Sequence, residues 1–154
     1  MDDQKKINSW FKQKAWKVFP FQELTWKEYL NGFHGMLNAP TGSGKTYALG
    51  LGILLDYLNN RDTAKYNKGI QVIWITPIRA LAKEIESSLS EACEELDIPW
   101  IVGKRTGDTS SAERAKQKKN LPHILITTPE SLQLLLASKN YQKSFKTLKC
   151  IVND

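Results

Sequence analysis

The stretch from Ala39 to Thr46 has the pattern of a loop that binds phosphate groups. Gly42 and Gly44 allow a sharp turn in which successive backbone N–H groups face a phosphate chain. In such a loop the Lys45 side chain reaches the β- and γ-phosphates of a nucleotide, and the Thr46 hydroxyl binds Mg²⁺. The alternative is a turn rich in Gly and Ser that binds nothing. The residues predicted to hold the nucleotide are Thr41, Gly42, Ser43, Gly44, Lys45 and Thr46.

The loop lies between a predicted strand and a predicted helix. Met36 to Ala39 is a short apolar run, which we expect to be a buried strand, and Tyr47 to Leu58 is apolar almost all round, as in a buried helix. A helix N-terminus directs unpaired N–H groups and the positive end of its dipole at an anion. This order of elements favours the phosphate-binding interpretation.

Strands and helices alternate through the rest of the chain, which indicates an α/β fold with a parallel sheet covered on both faces. Helical periodicity is predicted over residues 4–18, 23–33, 78–96 and 130–137, and Pro20 separates the first two helices. The remaining apolar runs are predicted strands: Ile70 to Ile75, Pro99 to Gly103, Ile124 to Thr127 and Leu148 to Val152. Ser110 and Glu113 form a possible capping box for a short surface helix.

Composition is that of an ordinary globular protein, with 41% hydrophobic and 25% charged residues in 154. The sequence has neither an apolar run long enough to span a membrane nor a signal-peptide core, so we expect a cytoplasmic protein with no membrane partner. A net charge of +6 suits a polyanionic partner. Cys93 and Cys150 lack metal-ligand spacing and are predicted to be small buried hydrophobic residues. His34 and His123 also lack zinc spacing and are predicted to be structural or surface residues.

Two strands end in a Thr-Pro junction, at Thr76-Pro77 and at Thr128-Pro129. Each junction places a threonine at the predicted N-cap and a proline in the first helical turn, and good capping alone would explain this. In a parallel sheet both junctions lie at the carboxyl edge, where such folds bind ligands. Basic residues follow nearby and favour contact with a nucleic-acid backbone, although exposed lysines are commonly only solvated. They are Arg79, Lys104, Arg105, Arg114, Lys116, Lys118 and Lys119.

The order of these motifs resembles that of the superfamily 2 helicases, most closely the DExH-box group of large helicase-related enzymes that includes ligase-associated members. Ala39 to Thr46 is similar to motif I, Thr76 to Leu81 to motif Ia, and Arg105 to Thr109 to the motif Ib region. Thr127 to Ser131 is similar to the next strand-contacting motif, and Ile151 to Asp154 to the strand that enters motif II.

The resemblance implies a three-layer, RecA-like P-loop NTPase fold, truncated, with a helical segment over residues 1–33 and an ATP-binding lobe over 34–154. It implies that Gln22 recognises adenine, with Phe19 or the Trp10-Phe11 pair beside it, and the alternative for Gln22 is a buried packing glutamine. It also implies that Asp154 holds Mg²⁺ mostly through water and that Lys45 and Asp154 are the catalytic residues. The strand-contacting positions implied are Thr76, Pro77, Arg79, Arg105, Thr106, Gly107, Thr128, Pro129 and Glu130.

The expected function is therefore that of the N-terminal lobe of an ATP-dependent helicase that binds MgATP and single-stranded or duplex nucleic acid, with DNA favoured. The sequence stops at Asp154, so we expect a fragment that needs a second RecA-like lobe and is itself inactive in unwinding. Two alternatives remain open: a P-loop ATPase that does not act on nucleic acid, and a non-enzymatic nucleic-acid-binding module.

Overall fold

Helices form the start of the chain. In this computed structural model, which describes residues 3–66 and 68–154, α1 covers Asp3–Gln13, α2 covers Pro20–Leu30 and α3 covers Lys45–Asn60. Met1 and Asp2, which open the predicted helical segment, and Asn67 lie outside the described residues. Pro20 begins α2, because a first-turn proline has the helical φ and loses no intrahelical hydrogen bond.

Helix α1 ends before residue 18, where the periodicity predicted its end. Ala15 takes a left-handed backbone conformation with φ of 55°. The Trp16 N–H then donates to Phe11 O and the Ala15 N–H to Lys12 O, which satisfies carbonyls at the helix end. This geometry folds the Trp16 ring back towards Phe11, with ring centroids 5.9 Å apart.

These helices belong to one of two compact units, which comprises Met1–Asp62 and Ala92–Ile98. The indole of Trp26, from α2, is 1% exposed and donates its N–H to Tyr47 O of α3 at 3.1 Å. Helix α1 contributes Ile7, Trp10 and Phe11 to the buried core. The phosphate loop and α3 are thus grouped with the N-terminal helices. The domain boundary after residue 33 stays a prediction.

The second unit comprises Thr63–Glu91 and Pro99–Asp154 and contains the sheet. After a short 3₁₀ turn at Ala64–Tyr66, its elements follow in chain order. They are β1 (Val72–Ile75), α4 (Arg79–Glu95), β2 (Val102–Arg105), α5 (Ser111–Lys119), β3 (Ile124–Thr127), α6 (Pro129–Leu136), α7 (Tyr141–Ser144) and β4 (Cys150–Asn153). Helix α4 begins in this unit, and its end from Ala92 is grouped with the first.

The four strands are parallel and lie in the order β2-β3-β1-β4. One face of the sheet carries Ile73 and Leu125, which pack with Leu132, Leu135 and other residues of the α6–α7 segment. On the opposite face Lys104 of β2 pairs with Glu86 of α4, with Nζ and Oε2 4.0 Å apart. Helices therefore cover both faces, as the alternating pattern predicted.

The sequence predicted five strands, and one of them is absent from the described residues. Met36 to Ala39 is not a strand, and Met36 is 96% exposed. A strand requires a neighbour to pair its N–H and C=O groups, and the described residues supply no such ladder here. The third predicted strand also begins later, at Val102, because Trp100 turns inward and donates its indole N–H to Tyr66 O at 2.9 Å.

None of the helices in the described part of the chain is both long and apolar enough to cross a membrane.

Candidate nucleotide and nucleic-acid sites

The phosphate loop has the backbone that its glycines predict. Gly42 and Gly44 have φ of 74° and 88°, in the left-handed region that costs a residue with a Cβ about 1 kcal/mol or more. Gly44 is also the N-cap of α3, and no side chain caps the first turn of that helix. The loop therefore leads directly into α3, and the first backbone N–H groups of that helix are available to bind an anion.

Lys45 lies at the start of α3 and turns back over the loop. Its Nζ donates to Ala39 O at 2.6 Å, which places the ammonium charge across the turn. Ser43 Oγ donates to Pro40 O at 2.6 Å and closes the same turn. Thr46 follows in the first helical turn and is half-buried. Glycine backbone, positive charge and an uncapped helix N-terminus thus converge on one loop, and this donor set fits a polyphosphate.

Gln22 connects the start of α2 to this loop. Its side chain is 2% exposed, its Oε1 accepts from the Phe19 N–H at 2.9 Å, and its Nε2 donates to Gly44 O at 3.1 Å. A Cβ at Gly44 would lie 2.7 Å from Nε2, so glycine is required there for space as well as for φ. Each carboxamide atom keeps one further hydrogen-bonding position, and the contact with adenine stays a prediction. The Phe19 side chain beside it is 46% exposed.

The carboxyl ends of the strands meet at one edge of the sheet, as predicted. Ile75 pairs in register with Thr127 and with Asn153, and Thr127 pairs with Arg105. The Thr76 N–H donates to Thr127 O, and the Asp154 N–H donates to Ile75 O. Both Thr-Pro junctions and Asp154 therefore lie at this edge of the sheet unit.

The two junctions differ in their capping. Thr128 is the N-cap of α6, and its Oγ1 accepts from the Ser131 N–H at 3.3 Å. Thr76 is not the N-cap of α4, which begins at Arg79, so that part of the prediction was wrong. The Thr76 N–H still belongs to the sheet ladder, and the chain must turn before a helix can begin. Its Oγ1 instead accepts from the Ile78 N–H at 3.4 Å.

Three threonines predicted to contact a strand are buried. Thr76, Thr106 and Thr128 are 0%, 1% and 4% exposed, and their hydroxyls are bonded within the protein. Contact of these threonines with nucleic acid stays a prediction. In the structure their hydroxyls accept hydrogen bonds from backbone N–H groups at the carboxyl edge of the sheet. The exposed predicted positions are Pro77, Arg79, Gly107, Pro129 and Glu130. Glu130 lies in the first turn of α6, where its negative carboxylate interacts favourably with the positive end of the helix dipole.

Arg79 lies against the turn that follows β2. Its Nη1 donates to Asp108 Oδ1 at 2.7 Å. Its Nη2 is so close to Gly107 that a Cβ on that glycine would lie 2.8 Å from it. The Arg79 guanidinium therefore packs against the backbone of Gly107 and donates a hydrogen bond to the Asp108 carboxylate. The sequence placed both segments near nucleic acid, but it gave no indication that they contact each other.

Arg114 holds the same turn together from α5. Its Nε donates to Thr109 O at 3.0 Å and its Nη2 to Thr106 O at 3.2 Å. The Thr106 N–H donates to Thr109 Oγ1, so residues 106–109 form a closed turn. The sequence predicted that Arg114 is one of the basic residues available to a polyanion. In the structure its guanidinium instead donates hydrogen bonds to backbone carbonyls of the protein.

Arg105 and the lysines of α5 have different surroundings. Arg105 is half-buried and lines a cavity of about 30 Å³ with Gln117 and Tyr141. Burial, and then the neighbouring charge of Arg114, lower the pKa of the Arg105 guanidinium. Lys118 and Lys119 are exposed in the last turn of α5, where their positive charges interact favourably with the negative end of the helix dipole. Ser110 caps the start of α5, as predicted, by accepting from the Glu113 N–H.

Asp154 accepts a hydrogen bond from a residue that the sequence did not connect with it. The indole Nε1 of Trp74, in β1, donates to Asp154 Oδ2 at 3.4 Å. Trp74 is 0% exposed, whereas Asp154 is exposed. The pairing of Trp74 with Val152 in the sheet register brings the two together, and that register cannot be read from either motif alone.

Cys93 is buried, as predicted, and burial raises the pKa of its thiol to about 12. Cys150 is half-buried. Among the described residues, no group of three or more His, Cys, Asp or Glu side chains is arranged to hold a metal ion.

Comparison with known proteins identifies relatives of this arrangement. A family model described as "DEAD/DEAH box helicase" matches residues 19–154. The chain is 40% identical over 155 aligned residues to the ATP-dependent helicase Lhr-Core of Sulfolobus acidocaldarius, an alignment that covers 96% of this chain and 18% of that protein.

Solved structures agree with this. The Mycobacterium smegmatis helicase Lhr bound to ssDNA and AMP-PNP matches with a TM-score of 0.71 and 29% identity, over 99% of this chain and 19% of that one. The DUF1998 helicase MrfA bound to DNA and AMPPNP matches with a TM-score of 0.80 and 27% identity, over 97% and 20%. The fold is that of a RecA-like helicase lobe, and the chain spans about a fifth of the length of these relatives.

Proposed function

The chain belongs to the DEAD/DEAH box helicase family, and on that premise we propose that it is the ATP-binding N-terminal lobe of an ATP-dependent helicase acting on a nucleic-acid strand. The observation that carries the proposal is the phosphate loop: two glycines with positive φ lead into an uncapped helix, and the Lys45 ammonium lies over the turn. This arrangement stabilises a chain of phosphates through backbone N–H groups and the positive charge of Lys45.

In this proposal the loop from Thr41 to Thr46 binds the phosphates of ATP. Thr46 contributes a hydroxyl ligand to Mg²⁺, and Asp154 contributes a carboxylate that acts mostly through water. Mg²⁺ held by these residues would supply positive charge that offsets the negative charge developing during phosphoryl transfer. Phe19, which is exposed beside the buried Gln22, is proposed to pack on the base, and its exposure supports this. The helicases Lhr and MrfA in the matching structures are bound to AMP-PNP, which supports nucleotide as the ligand.

The carboxyl edge of the sheet unit is the proposed strand site. Arg79 is an exposed cation there, and its guanidinium lies directly against Gly107, which is exposed as well. Contacts of this kind bind the sugar-phosphate chain without reading its sequence. Lhr and MrfA are bound to DNA in the matching structures, which supports DNA over RNA as the partner.

The whole enzyme requires more than this lobe. In the proposed cycle, ATP binding draws a second RecA-like lobe against this one and hydrolysis releases it, so that the hold on one strand shifts along the backbone. The described lobe by itself is proposed to bind Mg-nucleotide weakly, to hydrolyse little of it and to unwind nothing. The proposed location is the cytoplasm.

Calorimetric titration of the purified chain with MgATP tests the nucleotide site. The wild-type chain is expected to bind and Lys45→Ala to lose about tenfold or more in affinity, because a charge-assisted contact to phosphate contributes about 1.5–3 kcal/mol. Lys12→Ala, at an exposed lysine of α1, is the matched control and should bind like the wild type. Equal affinity in Lys45→Ala and wild type would refute the proposed site.

A further inference from the structure

The contact between Arg79 and Asp108 places a carboxylate on the exposed cation of the proposed strand site. Asp108 Oδ1 accepts from Arg79 Nη1 at 2.7 Å, within the range of a charge-assisted hydrogen bond. A phosphate oxygen and a carboxylate oxygen are equivalent acceptors for a guanidinium edge. The carboxylate therefore takes a hydrogen bond that a strand phosphate would otherwise accept.

This ion pair is accessible and weakly held. The Arg79 side chain is 60% exposed and that of Asp108 is 66% exposed, so water and salt screen their attraction. Exposed pairs of this kind contribute little to stability, so the binding of a phosphate readily compensates for the loss of this one. The contact between Arg79 and Asp108 can therefore open without disturbing the fold.

The carboxylate nevertheless stays close after it is displaced, because its turn is closed. The Asp108 N–H donates to Thr106 Oγ1 at 3.3 Å, and Arg114 holds the carbonyls of Thr106 and Thr109. A phosphate bound to Arg79 must then lie near a fixed negative charge. That repulsion reduces the affinity for a strand.

We propose that Asp108 occupies the phosphate position of Arg79, so that a strand binds this edge only by exchanging its phosphate for that carboxylate. The proposal rests on the proposed function and deepens it, since it assigns a residue that limits strand affinity. Asp108 keeps Arg79 neutralised until a polyanion competes for it, which favours rapid release over tight binding. The opposite role, in which Asp108 orients Arg79 for the phosphate, predicts the opposite effect of removing the charge.

Fluorescence anisotropy with a labelled oligothymidylate of about 20 nucleotides tests the exchange at low salt. Asp108→Asn is expected to bind about three- to fivefold more tightly than the wild-type chain, because it removes the competing charge and the local repulsion. The gain should depend on Arg79, so that Arg79→Gln and the double variant Arg79→Gln with Asp108→Asn bind alike.

Asp97→Asn is the matched control, because it removes the same charge from an exposed ion pair, that of Lys6 and Asp97, in the other unit. Position 97 tolerates this substitution, because asparagine readily adopts the left-handed backbone conformation, with φ of 56°, that Asp97 has. A gain as large in Asp97→Asn as in Asp108→Asn would show only a net-charge effect and overturn the inference.

The remaining outcomes separate this inference from the proposed function. If the wild-type chain binds and Asp108→Asn binds equally or more weakly, the exchange is refuted and the proposed strand site survives. If neither the wild type nor Asp108→Asn binds the oligothymidylate, the strand site itself is refuted. Circular dichroism spectra of all variants verify that each is folded.

Discussion

The Gln22 side chain holds Gly44, the residue that leads the phosphate loop into α3, through a hydrogen bond of 3.1 Å from Nε2 to the glycine carbonyl. Its Oε1 accepts from the Phe19 N–H at the start of α2. One buried carboxamide thus fixes the entrance of α2 and the phosphate loop together. The conformation of the loop depends on this residue whichever base the nucleotide carries.

Gln22→Ala is therefore expected to weaken ATP and GTP binding alike, by about tenfold, because the Phe19 N–H loses its acceptor Gln22 Oε1. Gly44 O would keep only the hydrogen bond from the Ala48 N–H, and the loop would no longer be tied to α2. Gln22→Glu keeps the acceptor for Phe19 and removes the donor for Gly44, so it should show the same loss with less effect on α2. Titration with fluorescent ATP and GTP analogues measures both affinities.

Gln13→Ala, at an exposed glutamine at the end of α1, is the control for those titrations and should leave both affinities unchanged. Loss of ATP binding with GTP binding intact would instead assign Gln22 to recognition of adenine and would contradict a purely positioning role. Thermal unfolding of each variant confirms that it is folded at the assay temperature.

Arg114 is expected to matter through the turn it closes. Arg114→Lys retains the charge but lacks the planar guanidinium that donates to both the Thr109 and the Thr106 carbonyl. It should therefore lower the free energy of unfolding by about 1 kcal/mol. Amide hydrogen exchange should become faster across residues 106–109, and affinity for a single strand should fall severalfold.

Lys118→Ala provides the comparison, because it removes a positive charge from the exposed end of α5 without touching that turn. It should leave amide exchange in residues 106–109 unchanged and reduce strand affinity only slightly. Identical exchange rates in Arg114→Lys and wild type would show that the two hydrogen bonds do not determine the turn.

Cys93 gives a prediction about pH. Burial raises the pKa of its thiol to about 12, whereas the cysteine thiol of an unfolded chain has a pKa of about 8.5. The folded state keeps a proton that the unfolded state releases, so this contribution to stability is complete below about pH 8.5 and declines as pH rises towards the folded value. The thiolate is the reactive form, and Cys93 should therefore resist alkylation in the folded protein.

Iodoacetamide labelling at mildly alkaline pH, followed by peptide mass spectrometry, measures Cys93 separately from Cys150. Cys93 is expected to remain unmodified in buffer and to react fully in concentrated urea. Equal labelling of Cys93 with and without urea would contradict its burial.

The motifs were sufficient to predict the phosphate loop and the alternation of elements, because both depend on local chemistry. Gly42 and Gly44 have the positive φ that such a loop needs, and Thr128 caps α6 as its spacing predicts. The strand expected over Met36 to Ala39 failed, since an apolar run forms a strand only where a neighbour pairs with it.

Contacts between distant segments were not predictable from the sequence. The pairing of Arg79 with Asp108, the hydrogen bond from Trp74 to Asp154 and the closure of residues 106–109 by Arg114 all depend on how the segments pack. Each of these residues lies in a predicted motif or element, but the tertiary structure alone determines which residue it contacts.

The salt dependence of single-strand binding tests the proposed helicase function most directly. Affinity of the wild-type chain for oligothymidylate, measured by anisotropy over a series of salt concentrations, should fall on a logarithmic plot with a slope of about −0.7 for each phosphate neutralised. A steep negative slope, made shallower by Arg79→Gln, is the predicted result. Binding that salt does not affect, or no binding in a chain that still binds MgATP, would contradict it and favour an ATPase that does not act on nucleic acid.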